Sequence, residues 1–204
     1  MSMAIDLPER RPLAEPVLDQ LFLEARTHYD WQTEPLDQTL LHRLFDLARM
    51  GPTSANCSPA RFIFCASDEA RARLADCVSE GNKAKVRQAP VTVIIGMDLD
   101  FADHLPRLFP HDDAASWFRG NPALIRETAF RNSTLQGAWL IMAARSLGLD
   151  TGPMSGFDKA KVDAAFWAGT GIETNFLCSL GHGTGRNLFP RLPRFSFGEA
   201  CSIA

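Results

Sequence analysis

The sequence has no long apolar run and no long run of charges of one sign. Its 204 residues include 21 Lys or Arg and 24 Asp or Glu, so the formal net charge is −3. No stretch approaches the roughly 20 apolar residues that cross a bilayer, and the start lacks the apolar core of a signal peptide. The balanced charges do not favour nucleic acid or a membrane surface as a partner. We therefore expect a soluble, cytoplasmic protein.

Motifs for metals, disulfides and hydrolytic catalysis are also missing. The five histidines show neither HxxxH nor HExxH spacing, so no metal site is predicted, and no GxSxG elbow is present. The cysteines are odd in number, widely spaced and form no CxxC pair; they are Cys57, Cys65, Cys77, Cys178 and Cys201. We expect them to be reduced packing residues.

Length and periodicity predict one domain over residues 1–204, in which residues 1–16 form a leader. Apolar residues at helical spacing predict helices over residues 17–27, 37–48, 69–78 and 124–147, and another beginning at Asp158. Strands are predicted over residues 61–66, 91–97 and 175–180. The second of these strands is apolar on both faces and should lie inside the sheet. The segment 98–122 looks irregular and is a candidate lid or pocket wall, Gly152-Pro153 is assigned to a loop, and the tail 187–204 shows no convincing helix.

The glycine-rich turn Gly181–Gly185 superficially resembles a dinucleotide-binding loop. Such a loop needs a helix directly after its glycines, and here Pro190 and Pro193 block one. We therefore interpret the glycines as a turn and His182 as a structural residue.

Two polar segments admit two interpretations each. The loop 51–59 places small hydroxyl and amide donors between Pro52 and Pro59. It could contact a planar polar ring, or it could be an ordinary connection. Similarly, Lys85 could stabilise negative charge on a ligand, or it could belong with Lys83 and Arg87 to a solvated helix end.

The loop GPTSANCSPARF, which starts at Gly51, resembles the signature P-[ST]-S-x-N-x-x-P-x-x-F of the nitroreductase family. Further segments match the family in the same order: Asn82–Lys85, Gly148–Asp150, Pro153–Asp158 and Arg191–Pro193. The resemblance implies an α+β fold with a central, mostly antiparallel sheet flanked by helices. It also implies an intertwined homodimer that binds FMN at the subunit interface, with residues from both chains.

The resemblance also implies which residues hold FMN. The partner chain would offer its loop to the ring through Pro52, Thr53, Ser54 and Asn56. This chain itself would place Asn82 and Lys85 near the pyrimidine half of the ring, and Pro153, Ser155 and Gly156 near its N5 edge. For the phosphate, the family uses an N-terminal RxSxR-like segment and a distal cation; here these are Arg26, Thr27, His28 and Arg191, with Arg186 as a possible addition. Tyr29 or His28 stands where a second N-terminal cation is expected.

Five longer strings, among them LFPHDDAASWF from Leu108 and RLPRFSFGEAC from Arg191, resemble one subgroup of the family. Its members reduce malonic semialdehyde to 3-hydroxypropionate in pyrimidine degradation. This implies ping-pong hydride transfer from NADH or NADPH through flavin N5, without an obligatory catalytic side chain. An arginine should bind the substrate carboxylate, and the candidates are Arg61, Arg107, Arg119 and Arg131. The alternatives are a broad-specificity nitroaromatic or quinone reductase and a non-enzymatic flavin-binding dimer.

Overall fold

A computed structural model describes residue 9 and residues 11–204. Its sheet contains β1 (Ala60–Cys65), β2 (Val91–Asp98), β3 (Asp150–Met154) and β4 (Ile172–Gly181). The strand order is β1-β2-β4-β3, and every neighbouring pair is antiparallel. All residues of β2 are buried, and this strand has a neighbour on each side. The predictions of an antiparallel sheet and of an interior strand after Pro90 are therefore confirmed.

Eight helices accompany the sheet in the described part of the chain. They are α1 (Glu15–Leu18), α2 (Gln38–Ala48), α3 (Asp68–Ala75), α4 (Glu80–Gln88), α5 (Leu105–Leu108), α6 (Pro122–Ser146), α7 (Lys159–Phe166) and α8 (Phe197–Ala200). A π-helical turn, Asp19–Leu23, continues α1, and short 3-10 helices cover Ser54–Asn56, Phe101–His104 and Ala114–Trp117. None of the described helices combines the length and apolar character that crossing a membrane requires.

Side-chain caps fix the starts of three helices where the sequence predicts them. Asp37, Ser67 and Asp158 each accept a hydrogen bond from a backbone N–H in the first turn of α2, α3 and α7, at 2.6 to 3.1 Å. Such caps satisfy N–H groups that have no partner within the helix. The boundaries predicted from these residues are accordingly confirmed to within a residue or two.

The sheet carries a hydrophobic core on each face. On one face α2 and α6 pack Leu44 and Leu140 against Val93. On the other face α3 and α4 contribute Leu74 and Val86 to a second cluster, which α7 completes. Because successive strand residues point to opposite faces, neighbouring residues of β2 serve different cores.

Four predictions about individual elements were wrong, and the fourth concerns the segment 98–122. The first helical segment ends at Leu23 rather than at residue 27. Residues around Gly152-Pro153 form β3 rather than a loop. Proline donates no backbone hydrogen bond, but β3 is an edge strand, where a missing donor is tolerated. The tail contains one helical turn, α8, which begins at a capping box formed by Ser196 and Glu199.

The segment 98–122 is folded rather than irregular. Its short helices bury Phe101, Leu105, Ala114 and Phe118 in a third cluster. The rings of Phe101 and Phe118 meet edge to face, with their centroids 4.9 Å apart. The segment is therefore a packed wall beside the loop 51–59, whose Cys57 belongs to the same cluster.

Large apolar side chains lie exposed on the outer face of α6 and along the tail. They include Phe130, Leu135, Trp139, Phe189, Leu192, Phe195 and Phe197. Apolar side chains that cluster at a surface are typical of sites where another molecule packs. The single chain leaves this surface open.

Candidate functional site

Amide side chains of α6 hold the loop 51–59. Asn132 accepts a hydrogen bond from the backbone N–H of Ser54, and Gln136 accepts one from Ala60, both at 2.8 Å. Both amides are buried. Neither Asn132 nor Gln136 was among the predicted site residues; their place on the buried stripe of a long helix marks them as unusual but does not indicate their partners.

The same loop contains an unusual backbone. Ala55, Asn56 and Ser58 have φ values of 47°, 49° and 40°, in the left-handed region that side chains disfavour. Each such residue costs on the order of 1 kcal/mol and persists only where its surroundings enforce it. Here Thr53 Oγ1 accepts from the Ser58 N–H at 3.1 Å and closes the turn.

The outward side of the loop is available to a ligand or a partner. Pro52, Ser54 and Asn56 are exposed and Thr53 is half-buried. Asn56 Nδ2 donates to the backbone carbonyl of Leu108 at 2.8 Å, so the packed wall also supports the loop. The chain thus presents polar groups from a rigid surface.

Arg61, at the base of the loop, is engaged within the protein. Its guanidinium contacts the buried carboxylate of Asp98 at 2.5 Å and donates to the carbonyls of Ser58 and Ala60. Of the other arginines considered for a substrate carboxylate, Arg131 is paired with Glu127. Arg107 and Arg119 are exposed and have no ion-pair partner within the described part of the chain.

A second group of polar side chains lies where β3 ends. Asn82 Nδ2 donates to the carbonyl of Gly156, and its Oδ1 accepts from Lys85 Nζ, both at 2.9 Å. Lys85 Nζ also lies 4.1 Å from the centre of the Tyr29 ring, a cation–π contact. Burial lowers the pKa of Lys85. A Cβ on Gly156 would lie 2.6 Å from Asn82 Nδ2, so a side chain at this position would displace the amide.

Beside this group lies a cavity of about 410 Å³. Its lining contains Thr27, Tyr29 and four arginines, which are Arg26, Arg145, Arg191 and Arg194. Arg26 donates to the carbonyl of Phe189 and Arg191 to that of Leu23, so these side chains tie the N-terminal segment to the tail. Across the residues that the structure describes, none of the four guanidinium groups is paired with a carboxylate. The cavity therefore has the charge of an anion-binding site.

His28 lies apart from this cavity, although Arg26 and Thr27 line it. Its Nε2 is 3.2 Å from Asp150 Oδ1. A Cβ on Gly183 would lie 1.9 Å from its Nδ1, so the ring packs directly against that turn. Arg186 is paired with Asp30 at 3.2 Å and does not line the cavity either.

The loop 51–59 and the cationic cavity lie at opposite edges of the sheet. The loop leads into β1, whereas Gly156 follows β3, and two strands separate these edge strands. Three strand spacings amount to about 14 Å. One chain therefore does not bring both groups around the same small ring.

The turn that follows β4 has no helix after it until α8, sixteen residues beyond Gly181 at Phe197. The carbonyl of His182 instead accepts from Gln32 N–H at 2.8 Å, and the Gly183 N–H donates to Asp150. The prediction that no helix directly follows these glycines is confirmed. No group of three or more His, Cys, Asp or Glu with metal-binding geometry occurs among the described residues.

The antiparallel sheet, the helices on both faces and the cationic cavity define an α+β protein equipped to hold an anionic ligand. A model of the nitroreductase family matches residues 23–182. This match spans more than half of the chain, which therefore belongs to the nitroreductase family.

Similar proteins agree with this assignment. A protein of Burkholderia lata, provisionally named NADH dehydrogenase/NAD(P)H nitroreductase, is 66% identical over 191 residues, covering 94% of this chain and 98% of its own. One of Stenotrophomonas maltophilia with the same provisional name is 59% identical, over 92% and 95%. A provisionally assigned nitroreductase of Exiguobacterium sibiricum, solved in complex with FMN, superimposes with a TM-score of 0.83 at 19% identity, covering 95% of this chain and 99% of that one.

Proposed function

We propose that this chain is an FMN-dependent NAD(P)H oxidoreductase that reduces malonic semialdehyde to 3-hydroxypropionate. The observation that carries the cofactor assignment is the cavity lined by four arginines without a paired carboxylate. FMN ends in a phosphate dianion, which requires charge-assisted hydrogen bonds in a partly buried site. The FMN bound in the Exiguobacterium neighbour and the NAD(P)H in the relatives' names support this proposal.

The residues present fit such a cofactor. Arg26, Thr27 and Arg191 would hold the phosphate. His28, which contacts Asp150, would position this segment rather than contact the phosphate. FMN, when bound, supplies electron transfer between NAD(P)H and the acceptor.

Asn82 and Lys85 would border the pyrimidine half of the ring, and Pro153, Ser155 and Gly156 its N5 edge. Tyr29 lines the cavity and also lies under Lys85, so the phosphate and ring regions are contiguous. Lys85 would supply a fixed positive charge to this half of the ring. Its bond to Asn82 sets the position of that charge.

The loop residues Pro52, Thr53, Ser54 and Asn56 would contact the ring of a flavin held mainly by the partner chain. Two observations support a homodimer. The two edges of the sheet are at least about 14 Å apart, and the apolar surface of α6 and the tail is open. Each dimer would then contain two sites, each assembled from both chains.

Mixing two inactive variants tests this arrangement. The Ser54→Trp variant should block the ring side, and the Arg26→Gln/Arg191→Gln variant should lose the phosphate side. A randomly mixed dimer population should regain about one quarter of the wild-type sites, because each heterodimer contains one intact site. No recovery, despite heterodimers seen by native mass spectrometry, would show that each site takes its loop and its phosphate-binding residues from the same chain.

The choice of malonic semialdehyde as the acceptor rests on the sequence strings that resemble the subgroup. Because this aldehyde carries a carboxylate, its binding site needs a cation. Arg61 and Arg131 already pair with Asp98 and Glu127, whereas Arg107 and Arg119 are free among the described residues. We therefore favour Arg107 or Arg119 for the substrate carboxylate. Replacing either with Gln should raise KM for malonic semialdehyde and leave KM for an uncharged aldehyde unchanged, with Arg131→Gln as the matched control.

The relatives' names favour a second candidate, a nitroaromatic or quinone reductase with the same cofactor. The purified protein should show a flavin absorption spectrum, and kcat/KM should be compared for malonic semialdehyde, a nitroaromatic and a quinone. A preference of about 100-fold for either rival, equivalent to about 2.7 kcal/mol, would replace our acceptor. A protein that neither contains nor takes up flavin would overturn the cofactor assignment.

A further inference from the structure

Arg145 occupies a position that the family resemblance did not single out. It lies in the last turn of α6 and lines the four-arginine cavity. It also lines a second cavity of about 220 Å³, together with Gln20, Asp150 and Thr151. The two cavities share Ala25, Arg26 and Arg145, so Arg145 lies at their common boundary.

The bonding of Arg145 is incomplete. Its Nη1 donates to the carbonyl of Leu21 at 2.9 Å, but its Nε is buried without a partner among the described residues. The carboxylate of Asp150 accepts from Gly183 N–H and contacts His28, and it is not paired with Arg145. Burial lowers the pKa of Arg145 and the nearby charge of Arg191 lowers it as well, while Cys178 and the Asp150 carboxylate act in the opposite direction without cancelling these effects. An arginine stays charged in proteins, so this half-buried cation favours an anion beside it.

Another arginine of α6 shows the contrast. Arg126 forms two hydrogen bonds with the carboxylate of Glu173, at 2.5 and 2.9 Å, and its charge is neutralised within the chain. Arg145 has the same charge and belongs to the same helix, but it has only a backbone carbonyl as a firm partner. The difference is that Arg145 faces a cavity.

We propose that Arg145 is a principal anchor of the FMN phosphate. It supplies the second cation that the N-terminal segment lacks, because Tyr29 lies under Lys85 and the His28 ring faces Asp150. The inference rests on the proposed function and deepens it. Arg26 and Arg191 approach the phosphate from the N-terminal segment and the tail, whereas Arg145 approaches from a helix fixed in the core.

The test compares FMN with riboflavin, which has the same ring and no phosphate. Affinities of the flavin-free full-length protein are measured by quenching of flavin fluorescence. Arg145→Gln should weaken FMN binding about 30-fold, equivalent to about 2 kcal/mol, and leave riboflavin binding unchanged. Arg126→Gln, the matched control on the same helix, should leave the ratio of the two affinities unchanged.

Two outcomes would overturn the role of Arg145 alone. Equal weakening of FMN and riboflavin would show that Arg145 only supports the fold through Leu21, and unchanged FMN affinity would show that it does not contact the phosphate. If Arg145→Gln does not fold, Arg145→Lys is used for the test. Lysine keeps the charge but lacks the forked guanidinium group, so the affinity for FMN alone should fall about fivefold. Failure of the wild-type protein to bind either flavin would instead overturn the proposed function itself.

Discussion

The two edges of the sheet present polar groups in opposite ways. At the β1 edge, the loop 51–59 has its backbone bonded to Asn132 and Gln136, and Arg61 is neutralised by Asp98. At the β3 edge, four arginines line a cavity without a paired carboxylate among the described residues. At the first edge the loop backbone and Arg61 have their partners within one chain, whereas the second edge has an excess of positive charge.

This difference separates two contributions to ligand binding. Changes at the cationic edge should affect a ligand with a phosphate and leave its ring-only analogue untouched. Changes at the loop edge should alter protein stability and affect both ligands by the same factor. The ratio of FMN to riboflavin affinity therefore reports on one edge only.

The largest effect is expected from the double variant Arg26→Gln/Arg191→Gln. Two charge-assisted hydrogen bonds, each worth about 2 kcal/mol, would be lost, so FMN affinity should fall about 1000-fold. Riboflavin affinity should change by less than about threefold. Fluorescence titration measures both, and equal losses for the two flavins would mean that the cavity does not hold the phosphate.

The next effect, at the loop edge, concerns stability. Arg61→Gln leaves the carboxylate of Asp98, a residue that is 6% exposed, without its guanidinium partner. Among the described residues, only the Asp100 N–H at 2.9 Å and His104 Nε2 at 3.8 Å then remain beside it. Breaking a buried pair in this way is strongly destabilising, and we expect a loss of about 3 kcal/mol in the free energy of unfolding because Arg61 itself is partly exposed. Urea denaturation measures the loss.

A matched second change tests its cause. Adding Asp98→Asn to Arg61→Gln removes the uncompensated charge and should recover part of the stability. KM for malonic semialdehyde should be the same in the wild type and in Arg61→Gln. An increase in KM without a loss of stability would reassign Arg61 to the substrate carboxylate.

A smaller effect is expected from Asn132→Ala. It leaves the Ser54 N–H without its acceptor and should cost about 2 kcal/mol of stability. Because the proposed site places the loop against the ring and away from the phosphate, both flavins should bind more weakly by the same factor. Asn175→Ala is the control, since its amide bonds to Ser133 and Thr134 of the same helix and does not reach the loop. A selective loss of FMN affinity in Asn132→Ala would contradict the division between the edges.

Sequence patterns predicted those parts of the fold that rest on local chemistry. The caps at Asp37 and Asp158 and the doubly apolar β2 are of this kind. β3 was missed because Gly152 and Pro153 indicate a turn locally. An edge strand accepts them only because its neighbour β4 supplies the sheet on one side.

The candidate site shows the same limit. The positions of Asn82 and Lys85 follow from a family motif. The partners of Asn132 and Gln136 lie 78 and 76 residues away in the chain, and no local pattern indicates such contacts. Arg145 is likewise visible only after folding, because α6, the N-terminal segment and the tail must meet before its cavity exists.

The smallest effect on stability is expected at Glu173, whose carboxylate neutralises Arg126 and Lys159 within the chain. The hydrogen bond from Arg126 lowers the pKa of Glu173 below its ordinary value of 4.5, and Lys159 adds to this effect. A carboxyl group with a lower pKa in the folded state stabilises the protein above its unfolded pKa. That contribution is lost as the pH falls through the folded pKa.

Glu173→Gln should therefore cost no more than about 1 kcal/mol at neutral pH, since the side chains are partly exposed. The difference from the wild type should stay constant down to about pH 5 and vanish well below the ordinary pKa of the carboxyl group. Urea denaturation over this pH range measures it, and FMN affinity serves as the control. A difference that persists in acid would show that packing, rather than the paired charge, is responsible, and a change in FMN affinity would show that neutralised and unpaired arginines do not act independently.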